Sequence, residues 1–294
     1  MTGRRLPDTS SPEIILDLTV FLAVLFAAVM HAGWNAIVKV GLDRFSSILL
    51  LSMAQGAMAL FLLPFFATPL AEAWPWMIGS ALLHIGYKLF LIRAYEHGDL
   101  SQVYPLARGT APLIVALVGA LFLGEVMTYG KTAAVIAIAL GVIVMSRNGA
   151  GLDRLPRKAL LYALGTACFT ASYTLVDGVG ARIADTASGY TLWMFALDAT
   201  GMTGFALATR GGAALRRLRP AWRSGMTAGG LSLGSYWIAI WAFTLAPLAM
   251  VAALRETSVL FAMLIGVFML GERAGLWRWV AGLLIVSGVV LMRL

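Results

Sequence analysis

Cysteine occurs once in these 294 residues, at Cys168 inside an apolar stretch, which excludes a disulfide framework. Histidine occurs three times, at His31, His84 and His97, with no His-Glu-x-x-His spacing, so the helical metalloprotease arrangement is excluded. No histidine stands near Cys168 in sequence, and thiol catalysis is left without its base. Charge is scarce as well: 12% of residues are Asp, Glu, Lys or Arg, far less than a water-soluble domain of this length needs to cover its core. No polar loop of the kind that builds a channel filter is visible, and no Gly-rich phosphate loop stands at a strand-to-helix junction. Neither a cofactor nor a metal is expected, and the chain is not expected to be an enzyme.

What the chain does have is long apolar runs. Hydrophobic residues make up 60% of it and the mean hydropathy is +0.86. A bilayer crossing takes about 20 such residues per helix. Ten spans are expected, near 17–38, 45–67, 75–96, 100–122, 131–147, 158–179, 187–208, 222–244, 248–270 and 276–293. The connections are short and carry Gly, Pro and charge, so the helices themselves must perform the function. Trp74, Trp76, Trp222, Trp277 and Trp279 fall at span ends, where aromatic rings anchor at the interface. The first dozen residues are polar and lack the apolar core and cleavage site of a removed signal, so the first span is expected to stay.

The net charge of +8 would raise nucleic acid as a partner in a soluble protein. Here the basic residues sit in short loops, and retention of those loops in the cytoplasm explains them instead. Loops after odd-numbered spans carry thirteen Lys and Arg: Lys39, Arg44, Arg147, Arg154, Arg157, Lys158, Arg210, Arg216, Arg217, Arg219, Arg223, Arg273 and Arg278. The opposite face carries five: Arg4, Arg5, Lys131, Arg182 and Arg293. The bias predicts both termini outside, in a multi-pass protein of a bacterial-type cytoplasmic (inner) membrane.

The two halves of the chain are alike. At an offset of 147, Arg108 and Thr110 match Arg255 and Thr257, Gly119 matches Gly266, and Gly124-Glu125 matches Gly271-Glu272. Gly141-Val142 and Met145 match Gly288-Val289 and Met292, and 13 of the 38 positions from 108 to 145 are identical without a gap. Shared apolar composition explains the leucines but not Arg-x-Thr and Gly-Glu at fixed separation. Each half has five spans, so the second enters the membrane from the opposite side. Such an inverted repeat suits a secondary transporter with its substrate site near mid-membrane.

Two halves of five helices, each with Arg-x-Thr in its fourth span and Gly-Glu closing it, resemble the drug/metabolite transporter (DMT) superfamily. The EamA-type branch fits best, and AYEHGDLSQVYPLARGTAPLIVALVGALFLGE is similar to it. The resemblance covers about 17 to 293 and implies an all-α membrane protein of ten transmembrane helices. Its parts are a polar N-terminal segment (1–16), a first EamA-type five-helix repeat (17–147) and a second, inverted one (158–294). It also implies a central cavity lined by the third, fourth, eighth and ninth spans and their neighbours. Among characterised members, the chain resembles amino-acid exporters of the YddG type.

Ionisable groups inside a span are costly and face a cavity or a partner. Lys88, Arg108, Asp177, Asp198, Arg255 and Glu256 qualify, with His31 and His84. Three cations and three anions suit a zwitterion, and equally suit internal ion pairs. His84, Tyr87 and Lys88 share one face of the third span, where Lys88 is placed to attract a carboxylate and Tyr87 to pack a side chain. Tyr104 and Arg108 share a face of the fourth span, with Pro105 between them freeing a carbonyl. Arg255 and Glu256 take the equivalent place in the ninth span. Adjacent residues diverge by about 100°, so these two cannot face one partner.

His31 and Asn35 share a face of the first span beside Trp34, Tyr173 and Asp177 share one on the sixth, and Tyr236, Trp237 and Trp241 give the eighth an aromatic face. Aromatic and hydrogen-bonding groups side by side suit an amphiphilic small molecule, although aromatic stripes also serve packing. Substrate-binding residues are expected among Trp34, Asn35, His84, Tyr87, Lys88, Tyr104, Arg108, Tyr173, Asp177, Tyr236, Trp237, Arg255 and Glu256. The Gly-Glu pairs read as turn and loop anchors.

The expected function is secondary transport or export of small metabolites by alternating access, with neutral and aromatic amino acids favoured. The alternative on the same fold is efflux of organic cations or drugs. Expected partners are a zwitterionic substrate and the lipid bilayer, with protons a candidate coupling ion through His84 or Asp177. A monomer is compatible with this architecture.

Overall fold

The computed structural model describes residues 17–38, 42–97, 100–125, 127–145, 156–269 and 275–294. The segment 1–16, the basic residues Lys39, Arg147, Arg154 and Arg273, and the second Gly-Glu pair at 271–272 lie outside the described residues. The apolar runs are helical, because a chain in lipid must satisfy its own backbone donors and acceptors. The helices are α1 (Leu18–Val38), α2 (Arg44–Leu62), α3 (Trp74–His97), α4 (Leu100–Phe122), α5 (Tyr129–Met145) and α6 (Arg157–Ile183). They continue with α7 (Ala187–Arg210), α8 (Trp222–Phe243), α9 (Leu248–Arg255), α10 (Ser258–Met269) and α11 (Leu276–Leu291). No strand occurs among the described residues.

Six segments are long and apolar enough to cross a membrane by length and composition: Leu18–Ile37, Arg44–Phe65, Ala71–His97, Val103–Phe122, Arg157–Ile183 and Leu248–Phe268. α7 and α8 are more polar, and the excess points inward: Thr191, Asp198, Ser232 and Ser235 are all buried. The outside is apolar, with Phe26, Leu82, Leu117 and Leu283 exposed. That is the inside-out pattern of a bundle whose solvent is lipid. Cys168 is exposed on α6.

The ninth span departs from the continuous helix predicted over 248–270. α9 stops at Arg255 and α10 starts at Ser258. Between them Glu256 N bonds to Ala253 O at 3.0 Å and Thr257 N to Leu254 O at 3.2 Å, a tightened three-residue spacing. Thr257 Oγ1 also donates to Leu254 O at 2.7 Å, which offers that carbonyl a partner outside the helical ladder. Among the described residues these eleven helices therefore supply ten crossings, and a four-residue helix, Ala213–Arg216, lies in the connection between α7 and α8.

Packing follows the duplication. α3 lies along α6 as α1 lies along α8; α3 meets α7 as α2 meets α8; α2 meets α7 and α5 meets α11. The α5–α11 contact is reciprocal at single residues. A Cβ on Gly141 would stand 2.7 Å from Ile285 Cγ1 and 2.9 Å from Ala281 O, and one on Gly288 would stand 2.6 Å from Ile138 Cγ1 and 2.8 Å from Ala134 O. Each of these residues is matched by its mate 147 positions on. Two equivalent helices thus cross at their equivalent glycines, as small residues allow in membranes.

The first helix begins and the last helix ends on one face, where the Arg293 guanidinium lies 5.5 Å from the Phe21 ring centre. On that same face Gly124 closes α4 with φ +65°, and Glu125 N reaches back to Gly119 O at 3.0 Å, a helix stop that favours glycine. Glu125 then joins the repeats. Its Oε1 accepts from Arg182 Nη2 at 3.0 Å and its Oε2 from Leu248 N at 2.9 Å. Arg182 also donates to Phe243 O and Ala246 O. The anchoring role expected of the first Gly-Glu pair is thus visible as a bridge between the ends of α4, α6 and α8 and the start of α9.

Candidate functional site

Buried polar side chains gather in three groups between the repeats. In the first, Lys88 on α3 pairs with Asp198 on α7 and donates to Ser52 Oγ on α2 at 2.7 Å. In a membrane interior an unpaired ammonium and carboxylate would each cost several kcal/mol, so the pair balances both.

The second group surrounds Asp177 on α6, which is fully buried. Tyr190 on α7 donates to its Oδ1 at 3.0 Å, and Tyr236 on α8 to its Oδ2 at 2.5 Å. His84 Nε2 on α3 reaches Oδ2 at 3.3 Å. The His84 ring stacks on Tyr173 with centroids 4.0 Å apart, and Tyr87 meets Tyr173 edge-on at 5.6 Å.

The third group centres on two guanidinium groups. Arg108 Nε on α4 lies 2.8 Å from Glu256 Oε2 in the break between α9 and α10, yet the two atoms are not aligned for a hydrogen bond. Arg108 Nη2 and Arg255 Nε are buried and find no acceptor among the described residues. Arg255 lies over the Tyr236 ring at 4.7 Å, and Arg108 over the Tyr104 ring at 5.9 Å. Tyr104 Oη shares a 3.3 Å hydrogen bond with His31 Nε2, and Trp34 meets the His31 ring edge-on at 5.0 Å. Trp34 Nε1 is also buried without a partner among the described residues, while Asn35 Nδ2 donates to His31 O at 2.8 Å.

Buried donors almost always find acceptors, and a buried charged donor left open is costly. Two charged donors, Arg108 Nη2 and Arg255 Nε, and the neutral Trp34 Nε1 are left open beside aromatic faces and one carboxylate, groups that an anion or zwitterion could satisfy.

The thirteen residues expected to bind substrate are thus distributed as follows. His84, Tyr87, Tyr173, Asp177, Tyr236 and Arg255 form one continuous contact chain. Trp34, Asn35, Tyr104, Arg108 and Glu256 come together around His31. Lys88 stands apart, engaged by Asp198 and Ser52. Trp237 turns toward the α6–α7 end, where its Nε1 donates to Ser188 Oγ at 3.0 Å and its ring meets Phe66. Two participants were not expected. Tyr190 lies in the first turn of α7 and Ser52 in mid-α2, and neither carries a sequence signal beyond its polar atom. A neutral bridge, Gln55 Nε2 to Ser232 Oγ at 2.9 Å, also ties α2 to α8.

A groove of about 520 Å³ lies elsewhere, bordered by Phe45, Phe90, Tyr162, Phe205, Arg93 and Arg210. None of the thirteen residues lines it. Among the described residues no group of three or more His, Cys, Asp or Glu side chains could hold a metal ion.

Comparison with known proteins agrees with the architecture. Twenty-nine solved chains match (29 in all). One of them, a crystal structure of a protein sharing 16% identity, aligns with a TM-score of 0.72 over 93% of this chain and 94% of its own. At that identity the likeness concerns the fold. No curated protein matches the chain significantly. The EamA-like transporter family matches residues 18–147 and again 157–294. With two such repeats forming a ten-span helical bundle, the chain belongs to the EamA-like transporter family and is a multi-pass membrane transporter of small molecules.

Proposed function

We propose that this transporter carries amino acids, neutral and aromatic ones above others, out of the cell across the cytoplasmic membrane. The observation that carries this reading is the pair of buried guanidinium groups, Arg108 and Arg255, with donors left open beside the Glu256 carboxylate. A zwitterion offers a carboxylate to the open donors and an ammonium to Glu256. Tyr104, Tyr173, Tyr236 and Trp34 supply aromatic faces for its side chain. Lys88, which the sequence suggested as the carboxylate anchor, is committed to Asp198, and Arg255 takes that role in this reading. An organic cation is disfavoured at this end of the site, because it would meet two guanidinium groups, Arg108 and Arg255, for the single carboxylate of Glu256, which already faces Arg108.

Alternating access would exchange the packing of one repeat for that of the other, opening the site to each side in turn. The excess of Lys and Arg in loops after odd-numbered spans supports an orientation with those loops inside and both chain ends outside.

The test is counterflow of labelled amino acids in proteoliposomes, with wild type beside Arg255→Gln and Lys88→Ala. Saturable counterflow is expected for wild type. Losing one charge-assisted contact worth about 1.5–3 kcal/mol should raise the apparent KM about 10- to 100-fold in the Arg255 variant. Amino alcohols, which lack the carboxylate, should fail to compete. Folded protein that moves no amino acid would overturn the substrate assignment and redirect the search to organic cations, nucleosides and sugars.

A further inference from the structure

Among the described residues the interior holds three buried carboxylates, and they are not equivalent. Asp198 is paired with Lys88, and Glu256 lies 2.8 Å from Arg108. Among the described residues Asp177 has no Lys or Arg in contact, although it is fully buried. Its neighbours come from every helix around it and are nearly all neutral hydroxyl or ring groups. α3 contributes His84 and Ser80, α7 contributes Tyr190, α8 contributes Tyr236, and its own helix contributes Tyr173 one turn earlier. Two cations face this cluster from one shell further out: Lys88 is one turn beyond His84, and Arg255 sits on the outer face of the Tyr236 ring at 4.7 Å.

A carboxylate held this way can gain or lose its charge without breaking an ion pair, which neither Asp198 nor Glu256 can do. Its three hydrogen bonds would be rearranged and not lost. When Asp177 takes a proton, one of its oxygens turns from acceptor to donor. With the proton on Oδ2, Tyr236, at present the donor to that oxygen, rotates its hydroxyl or accepts; with the proton on Oδ1 the same falls to Tyr190. Any displacement of Tyr236 is felt by Arg255, because the guanidinium rests on that ring.

We infer that Asp177 is a proton-binding site, and that Tyr236 links its protonation to the Arg255 end of the substrate site. The cycle balances simply: the carboxylate takes one proton from one side of the membrane, and the acid releases it to the other after the repeats exchange. Transport is then an exchange of substrate against protons. The proton-binding part stands without any substrate assignment, while the coupling part rests on the amino-acid reading.

The experiment has two arms for that reason. The first needs no substrate: infrared difference spectra of purified protein between about pH 8 and about pH 5, a range that spans physiological pH. Wild type should gain a protonated carboxyl band that Asp177→Asn lacks and that Asp177→Glu retains at a shifted position, each variant first shown to unfold cooperatively on heating. The same band persisting in Asp177→Asn, or no band in wild type, overturns the inference.

The second arm measures labelled amino-acid accumulation in proteoliposomes at clamped membrane potential. With one proton exchanged per substrate, a one-unit pH gradient should drive wild type toward a tenfold accumulation ratio. Whatever flux Asp177→Asn retains should no longer follow the gradient. Wild-type flux indifferent to the gradient overturns the coupling while the substrate reading stands. A titrating Asp177 in a protein that moves no amino acid overturns the substrate reading while the proton site stands.

Discussion

Arg108 and Glu256 face each other across the internal repeat, 2.8 Å apart, and the duplication makes their helices equivalent. Arg108 is the mate of Arg255, so one repeat's arginine is held by the residue that follows the other repeat's arginine. The break after Arg255 makes this possible. On a continuous helix Arg255 and Glu256 would simply point about 100° apart; at the break Glu256 meets Arg108 while Arg255 lies on Tyr236.

Glu256→Gln should be strongly destabilising, because it leaves Arg108 as an uncompensated buried charge, a loss of about 3–5 kcal/mol for a broken buried pair. The double variant Arg108→Met, Glu256→Gln should recover most of that loss. Thermal unfolding of wild type, Glu256→Gln, Arg108→Met and the double variant in one detergent measures the coupling; additive losses would show that the two side chains do not act as a pair.

The α5–α11 crossing tolerates no added bulk. Gly141→Leu and Gly288→Leu should each lower stability by about 1–3 kcal/mol or more through overpacking, since each added Cβ would meet backbone oxygen as well as an Ile side chain. Equal losses at the two positions are expected from their reciprocal contacts, and a neutral result at one of them would contradict the two-fold arrangement.

Glu125 should act as a tie between the repeats at the face bearing the chain ends. Replacing it by Ala removes the acceptor of both Arg182 and the Leu248 backbone N–H. Arg182 is partly exposed and its ion pair is screened, so the loss should be modest, about 1 kcal/mol. Faster hydrogen exchange at the start of α9 is the local readout; exchange unchanged there would mean that Glu125 does not hold that helix.

Sidedness can be read with a membrane-impermeant maleimide on intact cells, in a Cys168→Ser background. Cysteine at Tyr129, the 97% exposed first residue of α5, should be labelled from outside. Cysteine at Arg217, in the basic connection before α8, should be labelled only after the membrane is opened. The reverse pattern would show that the charge bias does not set the orientation here.

Much of this protein is legible in its sequence. Apolar runs of about 20 residues spaced by short basic connections mark the crossings, because a run of that length satisfies its own backbone in lipid as a helix. Arg-x-Thr and Gly-Glu recurring 147 residues apart mark the duplication, and five spans per half dictate its inversion. The interior groups can also be picked out one by one, since an ionisable residue in mid-span has nowhere to go but inward.

What the sequence leaves open is which interior group meets which. Lys88 could have faced a substrate and instead meets Asp198, 110 positions away. Asp177 could have met a cation and instead gathers Tyr190, Tyr236 and His84 from three other helices. Those choices depend on how far each helix is rotated about its own axis and where its neighbour crosses it, which is decided by contacts such as Gly141 on Ile285 and by the break at Glu256. Local periodicity shows which face of a helix is polar. Only the assembled bundle decides what that face touches, because every partner comes from a different helix.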